Sequence, residues 1–207
     1  IFALLSHFYR GDLQEMLHIA LPLCADAKTR GDLHAETGFR ISITYWAPLL
    51  DDQPEAARDE VRAAMAKRWP GCFDILNCYE LLSLGRIDLY AGEPVIARQR
   101  IKANWSKVAR SLLLRLQMLR VFLYDLRASL ALAVAVAVVD KDGDKKLLNS
   151  SLHEAEGEAH RLARENVAWA LALSTARRAA ITLLHGDARA TLSLLDSAAL
   201  QFDACDK

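Results

Sequence analysis

Residues that end helices recur along this chain at nearly even intervals, and this constrains its fold more than any other feature. Gly11, Asp52, Gly92, Lys141 and Gly186 mark turn centres separated by 41, 40, 49 and 45 residues. Breakers at and between them leave segments of helical length at 1–9, 13–30, 33–50, 55–69, 73–91, 95–107, 109–139, 147–165, 167–185 and 188–205. Two helices and a tight turn per interval make about five antiparallel hairpins. A hairpin cannot bury its apolar face alone, so it stacks on its neighbours. The expected fold is all-α, an α-solenoid in one helical-repeat domain over residues 1–207.

Composition supports helices. The chain holds 34 Ala and 35 Leu against 9 Gly and 5 Pro, and the first two types favour helix interiors while the last two break them. An apolar fraction of 53% excludes a disordered chain. With 26 basic and 26 acidic residues the net charge is zero, which removes the simplest electrostatic argument for nucleic acid or an anionic membrane as partner.

Amphipathic spacing places apolar stripes along several segments. Val61, Met65 and Trp69 fall on one face, as do Ile96, Ile101, Trp105 and Val108, and then Leu192, Leu195, Ala199 and Phe202. Residues 130–138 alternate Ala with Leu or Val, a pattern a strand also shows. They are read as helix because they continue a helical pattern from Leu112 with no breaker, and no second strand is available to pair. The apolar run over 130–139 is ten residues, half of the roughly 20 that span a bilayer. It is read as a helix buried on all sides, and no membrane is expected as a partner. Ile1 in place of an initiator Met suggests a segment of a larger protein. No targeting leader is visible. Cys24, Cys72, Cys78 and Cys205 lack CxxC spacing, which fits reduced thiols and a cytoplasmic setting.

Catalytic and metal motifs are missing. No GxSxG elbow, GxGxxG loop or GxxxxGK[ST] loop is present. His153, Glu156 and His160 share a helix face but do not form HExxH, so no metal is expected. Asp140-Lys141-Asp142-Gly143-Asp144 has its Gly at the fourth position, where a calcium loop needs it at the sixth. Arg10-Gly11-Asp12 and Arg30-Gly31-Asp32 fall where helices turn. No cofactor is expected.

Leu81, Leu84-Gly85, Gly92 and Ala97 stand at the spacings of a tetratricopeptide repeat, with Ile101 at the next large apolar position. The chain therefore resembles a tetratricopeptide-like protein, which implies a right-handed superhelix. Asp88 replaces an aromatic common in that family, and the intervals exceed its standard repeat of about 34 residues. The segments Arg30-Gly31-Asp32-Leu33-His34-Ala35-Glu36-Thr37, Pro54-Glu55-Ala56-Ala57-Arg58 and Ala109-Arg110-Ser111-Leu112-Leu113-Leu114-Arg115 are similar to the helical-repeat region that follows the kinase domain in large bacterial serine/threonine kinases. No HRD or DFG of a kinase is present here.

The resemblance implies that three positions of each first helix face an inner groove. Here they are Tyr79, Arg86 and Tyr90, with Phe39 and Trp46 in the preceding hairpin. Aromatics and Arg are enriched at interaction hot spots. Charge is also segregated: eight basic residues against Asp125 between Arg98 and Arg127, and five acids against Arg58 between Asp51 and Glu60. The expected function is a non-catalytic scaffold for a protein or peptide, in the regulatory region of a kinase-type signalling protein. A small-molecule-sensing repeat domain of a transcription activator or ATPase is the alternative.

Overall fold

The computed structural model describes residues 2–68, 71, 73–140 and 143–205. Ile1, Trp69, Cys72, Lys141 and Asp142, named above, lie outside the described residues. Among those described, the chain is all-α with no strand. It divides into two compact units, Ile1–Gly92 and Glu93–Lys207.

The first unit holds α1 (Phe2–Arg10), α2 (Leu13–Thr29), α3 (Leu33–Phe39), a π-helical segment (Arg40–Thr44), α4 (Trp46–Leu50), α5 (Pro54–Ala66) and α6 (Ile75–Tyr90). The second holds α7 (Pro94–Arg110), a short 3₁₀ turn (Leu113–Arg115), α8 (Gln117–Val139), α9 (Lys145–Ala163), α10 (Ala168–Leu184) and α11 (Ala188–Cys205). Helices adjacent in sequence pack together within each unit, and α10 also touches α8.

The turns are local chemistry. At Gly11, Gly31 and Gly186 the glycine amide bonds a carbonyl three residues back, and the following Asp amide bonds one five back. This is a Schellman closure, and it needs the positive φ of 70–85° that glycine adopts without a Cβ penalty. Asp52 makes the same closure at φ 56°. The next helix then starts on a cap: Asp32 accepts from Ala35 N, Asp187 from Ala190 N and Asp144 from Lys146 N. Asp74 and Asn77 form a reciprocal capping box at α6.

Two segments depart from expectation. Residues 109–139 are not one helix: α7 ends at Arg110, and Leu112 sits in the left-handed region at φ 61°. No Gly or Pro marks this break. Side chains hold it instead, because Ser111 Oγ donates to Val108 O and accepts from Leu113 N, and Arg120 Nη1 donates to Leu114 O. The helix over 33–50 carries the π segment, a one-residue offset that periodicity does not reveal.

The ambiguous stretch 130–138 is helical, within α8. Its Ala131 and Ala135 pack with Leu132, Leu152, Ala155 and Ile181. It is not buried on all sides, since Val136 is 44% exposed. By length and composition α8 is apolar enough to cross a membrane, yet 56% of its most apolar window is buried inside the protein. The α11 stripe differs most. Leu192, Leu195 and Ala199 face solvent, and only Phe202 of the four packs inward, while Thr191 and Ala198 meet the interior.

Candidate functional site

In the first unit the expected groove residues are largely drawn into packing. The Arg86 guanidinium lies 4.9 Å from the Phe8 ring centroid, and Phe8 stacks at 5.2 Å on Trp46. Trp46 in turn contacts Tyr45, which is fully buried. Burial pushes the Tyr45 hydroxyl up, and the neighbouring Arg86 opposes this. Phe39 and Trp46 pack on Leu4, Met16, Leu17 and Ile43. Tyr79 packs against the cluster of Ile41, Leu49, Val61 and Ile87, and burial raises its hydroxyl too. Tyr90 stands apart: it is exposed, and its hydroxyl donates to Asp52 at 2.8 Å. Trp46 and Arg86 thus meet through Phe8, and Tyr90 is the most accessible of the five.

Sequence reasoning missed a charged cleft of about 400 Å³ beside the π segment, lined by Leu21, Cys24, Lys28, Arg40, Glu60 and Lys67 among others. Arg40 makes a two-pronged pair with Glu60, at 2.6 and 2.7 Å. Glu36 takes Lys67 at 3.0 Å and lies 3.5 Å from Arg40. The Arg40 hydrogen bonds hold the Glu60 carboxyl below its usual range, and Glu60 raises Arg40 in return. Burial and the nearby Glu36 raise the Cys24 thiol, so it stays protonated and is a poor nucleophile. Cys78 is more inert, pushed up to about 12 by burial.

A lowered carboxyl contributes stability that is present above its ordinary value of 4.5 and is lost as the pH falls through the folded value. Glu60→Gln is therefore expected to flatten the acid limb of the stability curve below that value. Urea unfolding of both proteins across the acid range measures this, and parallel acid limbs would contradict it.

In the second unit the basic run resolves into two parts. Arg98 and Lys102 on α7 reach Glu154 at 2.5 and 3.1 Å. Arg127 lies 2.8 Å from Glu158, and its guanidinium covers Trp105 at 4.0 Å. Arg120 pairs with Glu165, and the one acid of the run, Asp125, with Arg177. These charges fasten helices to each other. Lys107, Arg110 and Arg115 are exposed, and among the described residues none has a carboxylate within ion-pair distance. Much of the acidic segment is spent the same way: Glu55 pairs with Arg58, Asp59 with Arg62 and Glu60 with Arg40.

His153, Glu156 and His160 are all exposed on α9, and no cluster of three metal-ligating side chains occurs among the described residues. No family model matches the chain, and no curated protein or solved structure matches it either.

Proposed function

We propose that this chain is a helical-repeat scaffold that recognises a protein or peptide, serving as the interaction region of a kinase-type signalling protein. The observation that carries this reading is the outer face of α11. Leu192 is 64% exposed and Leu195 48%, with Ala199 beside them at helical spacing. An apolar stripe three and seven residues apart is what one helix offers another. α11 packs along α10 and leaves this stripe exposed. The kinase association rests on the resemblance of residues 30–37, 54–58 and 109–115 described above.

A display library of amphipathic helical peptides, selected on the chain, tests the proposal. Peptides with an apolar repeat of three and four residues are expected to be enriched. Leu192→Asp combined with Leu195→Asp should weaken them by roughly thirtyfold or more, as for an interface hot spot. Undiminished binding by this variant rejects the face, and no enrichment at all rejects the scaffold reading.

The charged cleft supports a second reading, a small-molecule sensor. Its paired Arg40–Glu60 and Lys67–Glu36 groups, with apolar Leu21 at the edge, suit a polar ligand with charges of both signs. π segments occur frequently at such sites.

A further inference from the structure

We infer that the turn between α7 and α8 docks the second unit on an anionic lipid surface. The turn combines three features that ordinary helix connections lack together. First, it exposes leucines: Leu112 is 60% exposed and Leu116 49%. Second, Leu112 holds a left-handed conformation at φ 61°, which disfavours a branched aliphatic side chain and would suit glycine. Third, Lys107, Arg110 and Arg115 flank these leucines in sequence, and none has a carboxylate partner among the described residues, whereas Arg98, Lys102, Arg120 and Arg127 of the same run are all paired.

The turn is also rigid. Arg115 N and Leu116 N close onto the carbonyls of Leu112 and Leu113, Ser111 ties both sides, and Arg120 anchors Leu114 O while gripping Glu165. The leucines are therefore presented at a fixed position rather than left on a loose loop. Lys107 and Arg110, three residues apart, share a face of the last turn of α7. α8 begins at Gln117 with no side-chain cap, so the positive end of its dipole adds to the three cations.

Charge complementarity selects an anionic partner. The leucines project from a turn between helices, and a bilayer interface accepts such side chains to a depth of about 5–10 Å without a matching cavity. A peptide partner would need a shaped surface of its own. Overall neutrality does not bear on this, because Glu165, the carboxylate held beside this turn, is already neutralised by Arg120, and the Debye length of about 8 Å makes the local charge decisive.

Sedimentation of the full chain with lipid vesicles tests the inference. Binding is expected to vesicles of phosphatidylcholine mixed with phosphatidylserine, to be absent on phosphatidylcholine alone, and to fall with added salt. A basic residue at an anionic surface is worth about a fivefold gain in partition, so K107Q/R110Q/R115Q should bind roughly a hundredfold less. Leu112→Gly is the sharper variant, since it relieves the left-handed backbone while deleting the inserting side chain. It should keep or raise thermal stability and still lower partition about tenfold or more. No binding to the anionic vesicles overturns the inference, as does equal binding by wild type and Leu112→Gly. Capture of an acidic amphipathic peptide in place of vesicles, lost in the same variants, would assign the turn to a protein partner and overturn it equally. None of these outcomes depends on the α11 face.

Discussion

Asp88→Ala is expected to destabilise the first unit by about 3–5 kcal/mol, the cost of breaking a buried ion pair by removing one partner. Asp88 is 1% exposed, and its Oδ1 accepts from Arg58 Nε at 3.0 Å. Arg58 is itself 4% exposed, so removing Asp88 leaves a guanidinium largely shielded from water. Glu55, a second carboxylate on Arg58, has a side chain 73% exposed and sits at the solvent edge. Urea unfolding of the whole chain measures the loss, and hydrogen exchange assigns it to residues 2–68 and 73–91. Arg58→Met combined with Asp88→Leu supplies the control. Replacing both charges by apolar groups of similar size should recover most of the stability or exceed it. A cost below about 1 kcal/mol for Asp88→Ala would mean that water reaches the pair. The pair gives Asp88 its role in the packing, as the counter-charge to a buried arginine.

Glu158→Ala should cost the second unit about 3 kcal/mol by the same mechanism. Glu158 is 2% exposed; its Oε1 lies 2.8 Å from Arg127 Nη2 and accepts from Arg161 Nη1 at 2.7 Å. Once it is removed, Arg127 keeps, among the described residues, Glu154 at 3.8 Å and the face of Trp105. Glu158→Gln should cost less. Burial pushes the Glu158 carboxyl up against the pull of both guanidiniums, and it lowers Arg127. A raised carboxyl contributes stability present below the ordinary value of 4.5 and lost as the pH rises through the folded value. Glu154, lowered by Arg98 and Lys102 despite its own burial, has the opposite sign and fails as the pH falls. Glu158→Gln should therefore lose less stability than wild type as the pH rises above 4.5, with the acid limb from Glu154 intact. Chemical unfolding across that range decides it, and identical slopes would refute the assignment.

The legible parts of this fold were those written in short range. Gly11, Gly31, Gly92 and Gly186 end helices because a positive φ is a property of the residue itself. Pro54 and Pro94 begin helices for a reason equally local. The break at 111–116 was hidden because the residues that stabilise it, Ser111 and Arg120, act through side-chain bonds that no composition rule registers. The α11 stripe shows a different limit. Periodicity groups Leu192, Leu195 and Ala199 on one face, but Thr191 and Ala198 are the ones buried. An amphipathic pattern states which residues face together and not which neighbour they meet. Among the site residues, Trp46 and Arg86 were found as residue types suited to recognition, yet Phe8, 38 positions before Trp46, is what joins them. The cleft around Arg40 needed three separate stretches, 21–28, 36–44 and 60–67, to converge.

Sequence alone determined that the chain is helical and where most of its helices start and stop, because caps, breakers and propensities act within a few residues. It also determined that charge is segregated. Only the tertiary structure decided which charges remain available. Coulomb attraction depends on distance in space, and folding brings Glu154, Glu158 and Glu165 to Arg98, Arg127 and Arg120 while leaving Lys107, Arg110 and Arg115 unmatched among the described residues.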